Sequence, residues 1–304
     1  MSGEINLLLV AVVSGIGIGS VYVLLALSYN LVLGSSGVFN LAQGTVVMAG
    51  TLGSYLLEVR YGWPIWSAVP VLAVFGFAAG RLTELLGVRP VAGRSVTVAE
   101  AAIVTTLGLS LIGDSTAGLT FGSDPQPVPS YTSSAPLLVG GVPIRPIFVV
   151  MVVFTLLVAL GFDRVMRRTQ VGHMLRATLE DREAAELLGI DTRRVTRIVF
   201  GLAGTLSALA GFLLAPITLA SPFVANDLGL YGFAAMAVGG FGSFTGSLVG
   251  GVLVGVVGSL VPAVANAHLA RPAIFVMVIA ILLVRPGGLF GTAGLFGSRK
   301  LREV

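Results

Sequence analysis

Apolar residues run through this chain in long unbroken blocks, and polar residues cluster between the blocks. The first block, residues 5–33, is apolar almost throughout. At about 1.5 Å per residue it exceeds a bilayer core of roughly 30 Å, so it predicts one long helix that tilts or projects. Gly34-Ser35-Ser36-Gly37 breaks it. Further blocks predict spans over 38–57, 66–86, 96–119, 146–162, 198–217, 228–238, 246–261 and 272–284. Between the fourth and fifth, residues 122–145 carry several prolines and short alternating apolar segments, which predicts an outer loop with a small hairpin. The pattern describes an all-α, polytopic transmembrane helical bundle of about nine spans, or eight to ten depending on how the short blocks are counted.

One stretch departs from this pattern. Residues 163–197 hold Asp163, Arg164, Arg167, Arg168, Arg176, Glu180, Asp181, Arg182, Glu183, Glu186, Asp191, Arg193 and Arg194. Hydrocarbon cannot hold so many ionisable groups, so the segment lies in water or against another protein. Residues 174–188 are rich in Leu, Ala, Glu and Arg and contain no Gly or Pro, which predicts one helix, with Gly189 as its terminator. On such a helix Ala177 and Ala184, seven apart, share a face with Asp181 between them. Arg176 and Glu180 brace each other at i, i+4. Arg182 and Glu183 are then free to pair across an interface, and Ala177, Ala184 and Ala185 allow close approach.

Composition agrees with the pattern. Hydrophobic residues make up 55% and charged residues 11% of 304 residues, the balance of an integral membrane protein. One transmembrane domain over 1–304 is expected, with no separate soluble domain. Cysteine is absent, which excludes disulfides, Cys-ligated metals and thiol chemistry. The net charge of +4 rests on clustered arginines and calls for the positive-inside rule rather than nucleic-acid binding. With 163–197 inside, four later crossings put the tail charges Arg285, Arg299, Lys300 and Arg302 inside. Five earlier crossings put the N-terminus, with only Glu4, outside, and the loop with Arg89 and Arg94 inside. The N-terminus has no cationic region, so no cleaved signal peptide is expected. Glu58, Arg60 and Tyr61 mark a water edge, and Trp63 and Trp66 fit an interfacial belt.

Candidate chemistry is sparse. Gly15 and Gly19, and the pairs Gly246/Gly250 and Gly251/Gly255, are close-packing signatures, as is the run Ala203, Ser207, Gly211. The second span contains Asn40, Gln43 and Thr45, which are polar and uncharged. Buried amides there must find partners, so they either bond between helices or line a translocation path inside a permease pair, away from lipid. Arg81 and Glu84 are spaced to pair at i, i+3. Glu100, Asp114 and Asp227 fall toward span ends, which disfavours an ion-coupled carrier built on midplane charges. The glycine-rich stretch 239–246 lacks the terminal Lys and preceding strand of a phosphate-binding loop. Lys300 is the one lysine of the chain, so no Walker A motif exists in it. His173 and His268 are isolated, and no catalytic constellation can be drawn. No cofactor in this chain is expected. The two glycine-broken stretches, 34–37 and 239–246, suggest an inverted repeat around a central path.

Two motifs carry a resemblance. Gly172, Leu175, Arg176, Ala177, Asp181, Glu183, Ala184, Ala185, Gly189 and Ile190 together resemble the cytoplasmic "EAA-type" loop of ABC importer permeases. The stretch LALSYNLVLGSSGVFNLAQGTVVMAG, residues 25–50, resembles the first-half signature of the branched-chain amino-acid permeases, the first-permease-subunit type related to urea and amide permeases. The resemblance covers most of the chain in order. It implies a multi-pass permease of a bacterial or archaeal plasma membrane, paired with a second related permease. Two cytoplasmic ATPases and an extracytoplasmic solute-binding protein complete the implied assembly. It also implies that Arg176, Ala177, Asp181, Glu183, Ala184, Ala185 and Gly189 belong to an ATPase-coupling segment. The substrates it implies are branched-chain or other hydrophobic amino acids, or urea and short amides. The uncharged polar trio of the second span suits such small neutral or zwitterionic solutes. An ion-coupled secondary transporter and a channel are the competing readings, and the charged segment in mid-chain favours the importer over both.

Overall fold

A computed structural model describes residues 2–91, 98–133, 135–139 and 142–291. Arg94, Arg299, Lys300 and Arg302 therefore lie outside the described residues, as do the side chains of Glu4, Glu180 and Arg182. The helices, in order, are α1 (Ser2–Ser36), α2 (Gln43–Ser54), α3 (Ile65–Thr83), α4 (Val98–Phe121), α5 (Pro146–Arg168) and α6 (Gln170–Glu180). After them come α7 (Arg182–Leu187), α8 (Thr192–Thr218), α9 (Val224–Gly239), α10 (Phe244–Val264) and α11 (Ala270–Val284). Two π-helical turns, Tyr55–Arg60 and Glu84–Val88, extend α2 and α3. The expected hairpin is present: β1 (Leu137–Val139) pairs antiparallel with β2 (Val142–Ile144), Leu137 opposite Ile144.

Among the described residues, seven helices are long and apolar enough to cross a membrane: 5–36, 65–88, 100–121, 146–168, 192–218, 244–264 and 267–284. The two remaining expected spans appear as the shorter helices α2, of 12 residues, and α9, of 16 residues. The fifth helix runs on to Arg168, past its expected end at 162, so Asp163, Arg164, Arg167 and Arg168 continue α5. Arg167 there donates to Asp163 one turn back at 2.8 Å. Apolarity alone ends a span where the membrane does, whereas helical hydrogen bonding continues into water for as long as propensity supports it.

The chain divides into two compact units, one of Met1–Asn30, Ser130–Thr155 and Tyr231–Val304, the other of Leu31–Pro129 and Leu156–Leu230. In the first unit, α1 lies backbone-to-backbone on α10. A Cβ on Gly15 would sit 2.6 Å from Val256 Cα, and one on Gly255 would sit 2.3 Å from Gly19 Cα. The pairs Gly15/Gly19 and Gly251/Gly255 thus meet each other, while Gly246 and Gly250 lie on Gly239 and Ala235 of α9, and dispersion between close backbones substitutes for the hydrophobic drive that lipid removes.

In the second unit α8 is the centre, with 83% of its most apolar window buried. It packs on α2 and α3, and the seam read from its small residues is real: Ala203 and Ser207 are fully buried, and a Cβ on Gly211 would stand 2.0 Å from Val47 O. Gly76 and Gly80 of α3 meet Gly204 and Phe200 of α8 in the same way. The glycine breaks fall in different units: Gly37 (φ 68°) ends α1 in the second, and Gly240 (φ 123°) follows α9 in the first.

Candidate functional site

The charged segment folds as two short helices, not one. α6 begins at the N-cap Thr169, whose hydroxyl accepts from Gly172 N at 3.2 Å, and ends at Glu180. Asp181 is extended (φ −153°, ψ 109°), and its carboxylate caps α7 by accepting from Glu183 N and Ala184 N at 3.0 Å each. This corrects the expected single helix over 174–188. Summed propensity favours continuation, but an Asp that satisfies two orphan amides of the next turn is worth about 1 kcal/mol and tips the local choice. Asp181 is therefore a cap and not a face residue, and the seven-residue spacing of Ala177 and Ala184 does not place them on one helix face. The Arg176 guanidinium donates to the carbonyl of Met166 at the end of α5; its expected brace with Glu180 falls on a side chain outside the described residues.

The rest of the motif explains how the segment is held. Gly172 approaches Met166 so closely that a Cβ would lie 2.1 Å from its carbonyl oxygen. Leu175 joins Met166, Val195 and Val199 in a buried cluster, with Phe162, Met174 and Ile190 packed against it. Ala185 is buried, while Glu183 and Ala184 are exposed. Gly189 (φ 84°) ends α7 as expected, and Ile190 N reaches back to Ala185 O at 3.0 Å, which satisfies the helix end. Thr192 donates to Glu186 Oε1 at 2.5 Å and Asp191 caps α8 through Arg194 N at 2.9 Å, so the return is fixed too. What this rigid bracket presents outward is Leu187 and Leu188, 89% and 80% exposed. Sequence reasoning missed them by counting both as helix interior. The signal was there, since two large apolar residues directly before a terminating Gly in a charged segment have no core to enter.

The polar trio of the second span divides. Asn40 and Gln43 are 1% and 2% exposed, with their amides bonded inside the second unit. Asn40 Nδ2 donates to Gln43 Oε1 at 2.9 Å, and its Oδ1 accepts from Ala42 N at 3.0 Å. Gln43 Nε2 donates to Ser207 Oγ at 2.7 Å and to Ala203 O at 3.1 Å on α8. Thr45 faces α4: its hydroxyl donates to Asp114 Oδ1 at 2.9 Å and lies 2.9 Å from Ser110 Oγ. It also lines a groove of about 690 Å³ bounded by α2, α3 and α4, whose walls include Met48, Leu52, Leu72, Phe75 and Leu109. The groove is apolar apart from threonines. Arg81 and Glu84 are not joined by a described ion pair; Glu84 is buried in the π turn that ends α3.

Comparison with known proteins agrees with this architecture. The family model for "Branched-chain amino acid transport system / permease component" matches residues 11–285. The high-affinity branched-chain amino acid transport system permease protein LivH of Escherichia coli is 30% identical over 305 residues, covering 96% of this chain and 98% of that protein. BraD of Pseudomonas aeruginosa, a permease of the same description, is 27% identical over 95% of this chain and 97% of its own length. The fructose import permease protein FruF of Bifidobacterium longum is more distant, at 25% identity over 86% of this chain and 73% of that protein. With nearly its whole length matched and its apolar helices in place, the chain belongs to the branched-chain amino acid transport system permease family and is a multi-pass plasma-membrane permease subunit of an ABC importer.

Proposed function

We propose that this permease carries branched-chain or similarly hydrophobic amino acids inward. In that reading it pairs with a second related permease, receives its solute from an extracytoplasmic binding protein and is driven by two separate cytoplasmic ATPases. The observation that supports the solute class is end-to-end similarity to LivH and BraD, both named for branched-chain amino acids, against a weaker match to a permease named for fructose. Support for the ATPase contact comes from the α6–α7 bracket. It is held rigidly from behind by Gly172, Leu175, Arg176 and Ala185, and it offers Glu183, Ala184, Leu187 and Leu188 to a partner. Adjacent exposed leucines beside a carboxylate suit a cleft with an apolar floor and a basic rim, where charge sets register and the desolvated leucines anchor the contact.

Two measurements test this. In a strain stripped of its own uptake systems, the chain expressed with its partner subunits gives accumulation of labelled L-leucine. Accumulation of labelled urea or fructose in its place overturns the solute reading. Replacing both Leu187 and Leu188 with Ser leaves melting temperature unchanged, because neither is buried, and lowers ATPase activity stimulated by the loaded binding protein by at least 10-fold. Activity equal to the parent's removes the bracket from the coupling contact.

A further inference from the structure

Asp114 is an acidic residue inside a membrane-crossing helix, in the window 100–121 of α4. A carboxylate at that depth is costly and is kept where a cation or donors meet it. Two hydroxyls hold it: Thr45 donates to Oδ1 at 2.9 Å, and Ser110, one turn earlier on α4, stands 2.9 Å from the Thr45 hydroxyl. Among the described residues no cationic side chain forms an ion pair with it. A carboxylate has about four acceptor positions, and hydroxyls accept as well as donate, so this cluster has acceptors in excess and lacks positive charge. Thr45 and Gly113, the residue next to Asp114, both line the apolar groove of about 690 Å³.

We infer that Asp114, Thr45 and Ser110 form a recognition site for a primary alkylammonium group, whose alkyl part lodges in the adjoining groove. The match is chemical. An ammonium brings three N–H donors and one positive charge to a site with surplus acceptors and one unpaired negative charge. The groove walls of Met48, Leu52, Leu72 and Phe75 suit a branched hydrocarbon and offer nothing to a sugar's hydroxyls. A bare metal ion fits less well, because no group of three or more metal-ligating side chains occurs among the described residues. Hard cations bound without such a cage need more oxygen ligands than one carboxylate and two hydroxyls supply. The inference deepens the proposed solute reading by assigning recognition of the amino group to named residues.

The test uses the whole importer reconstituted in phosphatidylglycerol vesicles, which carry no amine-bearing lipid. The probes are isoamylamine, which keeps the alkyl chain and ammonium, and isocaproate, which keeps the alkyl chain without the ammonium. Asp114→Asn, isosteric and able to keep the Thr45 bond, weakens isoamylamine binding by at least 10-fold and leaves isocaproate unaffected. Thr45→Val gives a smaller loss, about threefold, and Ser115→Ala on the exposed side of α4 gives none. A melting temperature for Asp114→Asn equal to the parent's separates lost recognition from lost folding. Equal isoamylamine binding by the parent and Asp114→Asn overturns the assignment, as does no binding by the parent or loss of its binding when phosphatidylethanolamine is added. Leucine uptake is scored separately. Uptake with an unaltered Asp114→Asn sinks this site alone, whereas amine binding that depends on Asp114 without leucine uptake sinks the solute reading and keeps the site.

Discussion

Each of the two units has irregular backbone where apolar helices meet, and each secures it with a neutral amide, but the two amide clasps are wired differently. In the first unit a single residue, Asn30, holds the turn between α9 and α10. Its Oδ1 accepts from Gly242 N at 2.8 Å, and its Nδ2 is 2.8 Å from Ser247 Oγ, 3.3 Å from Gly240 O and 3.4 Å from Ser243 O. In the second unit the work is split: Asn40 satisfies the local turn before α2, and Gln43 reaches α8. The first arrangement replaces backbone bonds that a glycine turn cannot make for itself. The second ties together two helices whose backbones are already satisfied. A neutral amide serves both because it offers donors and acceptors without the cost of burying a charge.

The difference predicts unequal consequences. Asn30→Ala takes the acceptor from the exposed Gly242 N–H and one partner from the buried Ser247 hydroxyl, and the bonds to Gly240 O and Ser243 O go with them. Each bond is worth about 0.5–1.5 kcal/mol net, and several are lost together, so this is the largest loss expected of the clasp variants. Thermal unfolding in detergent reads it as the greatest drop in midpoint. A drop no larger than that of a clasp variant in the second unit breaks the comparison.

Gln43→Leu comes next. It keeps the volume, leaves Ala203 O within a regular helix and lets Ser207 turn its hydroxyl to its own backbone, so the expected cost is about 1–2 kcal/mol. Asn30 and Gln43 share no hydrogen-bond partner. Their free-energy effects should therefore add to within about 0.5 kcal/mol in the double variant. A coupling well above that shows that the two clasps stabilise one cooperative structure in common.

How much of this was legible in the sequence follows from what each feature depends on. Long apolar runs and small residues every fourth position are local, so the crossing helices and the α8 seam of Ala203, Ser207 and Gly211 were readable directly. The Asn40–Gln43 pair announces itself as two amides in one apolar block, and buried amides in such a block need partners. Asn30 gave no such signal, being one polar residue in a long apolar run whose partners lie 210 or more positions away. Asp114 was placed near a span end by hydropathy. Its significance comes from Thr45, 69 positions distant, which no spacing rule connects to it. The break at Asp181 was missed for the opposite reason. It is purely local, but a cap competes with summed propensity, and counting helix formers weighs only one side of that competition.

The smallest expected effect separates the two tasks of the second clasp. Asn40 accepts an Asx-turn bond from Ala42 N and donates to Gln43 Oε1, both within the turn that leads into α2. Serine keeps an oxygen able to accept from a backbone N–H two residues on, as Ser36 does here for Val38 N at 3.2 Å. Asn40→Ser therefore retains the turn bond and loses only the donor to Gln43, whose Nε2 remains bonded to Ala203 and Ser207. The freed Oε1 of Gln43 is then the one unsatisfied atom, and an acceptor with a second lone pair is less costly to strand than an N–H. The expected loss is about 0.5–1 kcal/mol. Asn40→Ala removes the turn bond as well and adds about 1 kcal/mol. Equal unfolding midpoints for Asn40→Ser and Asn40→Ala would show that the turn bond contributes nothing and that the clasp acts only through Gln43. In that case the second unit, like the first, depends on a single amide.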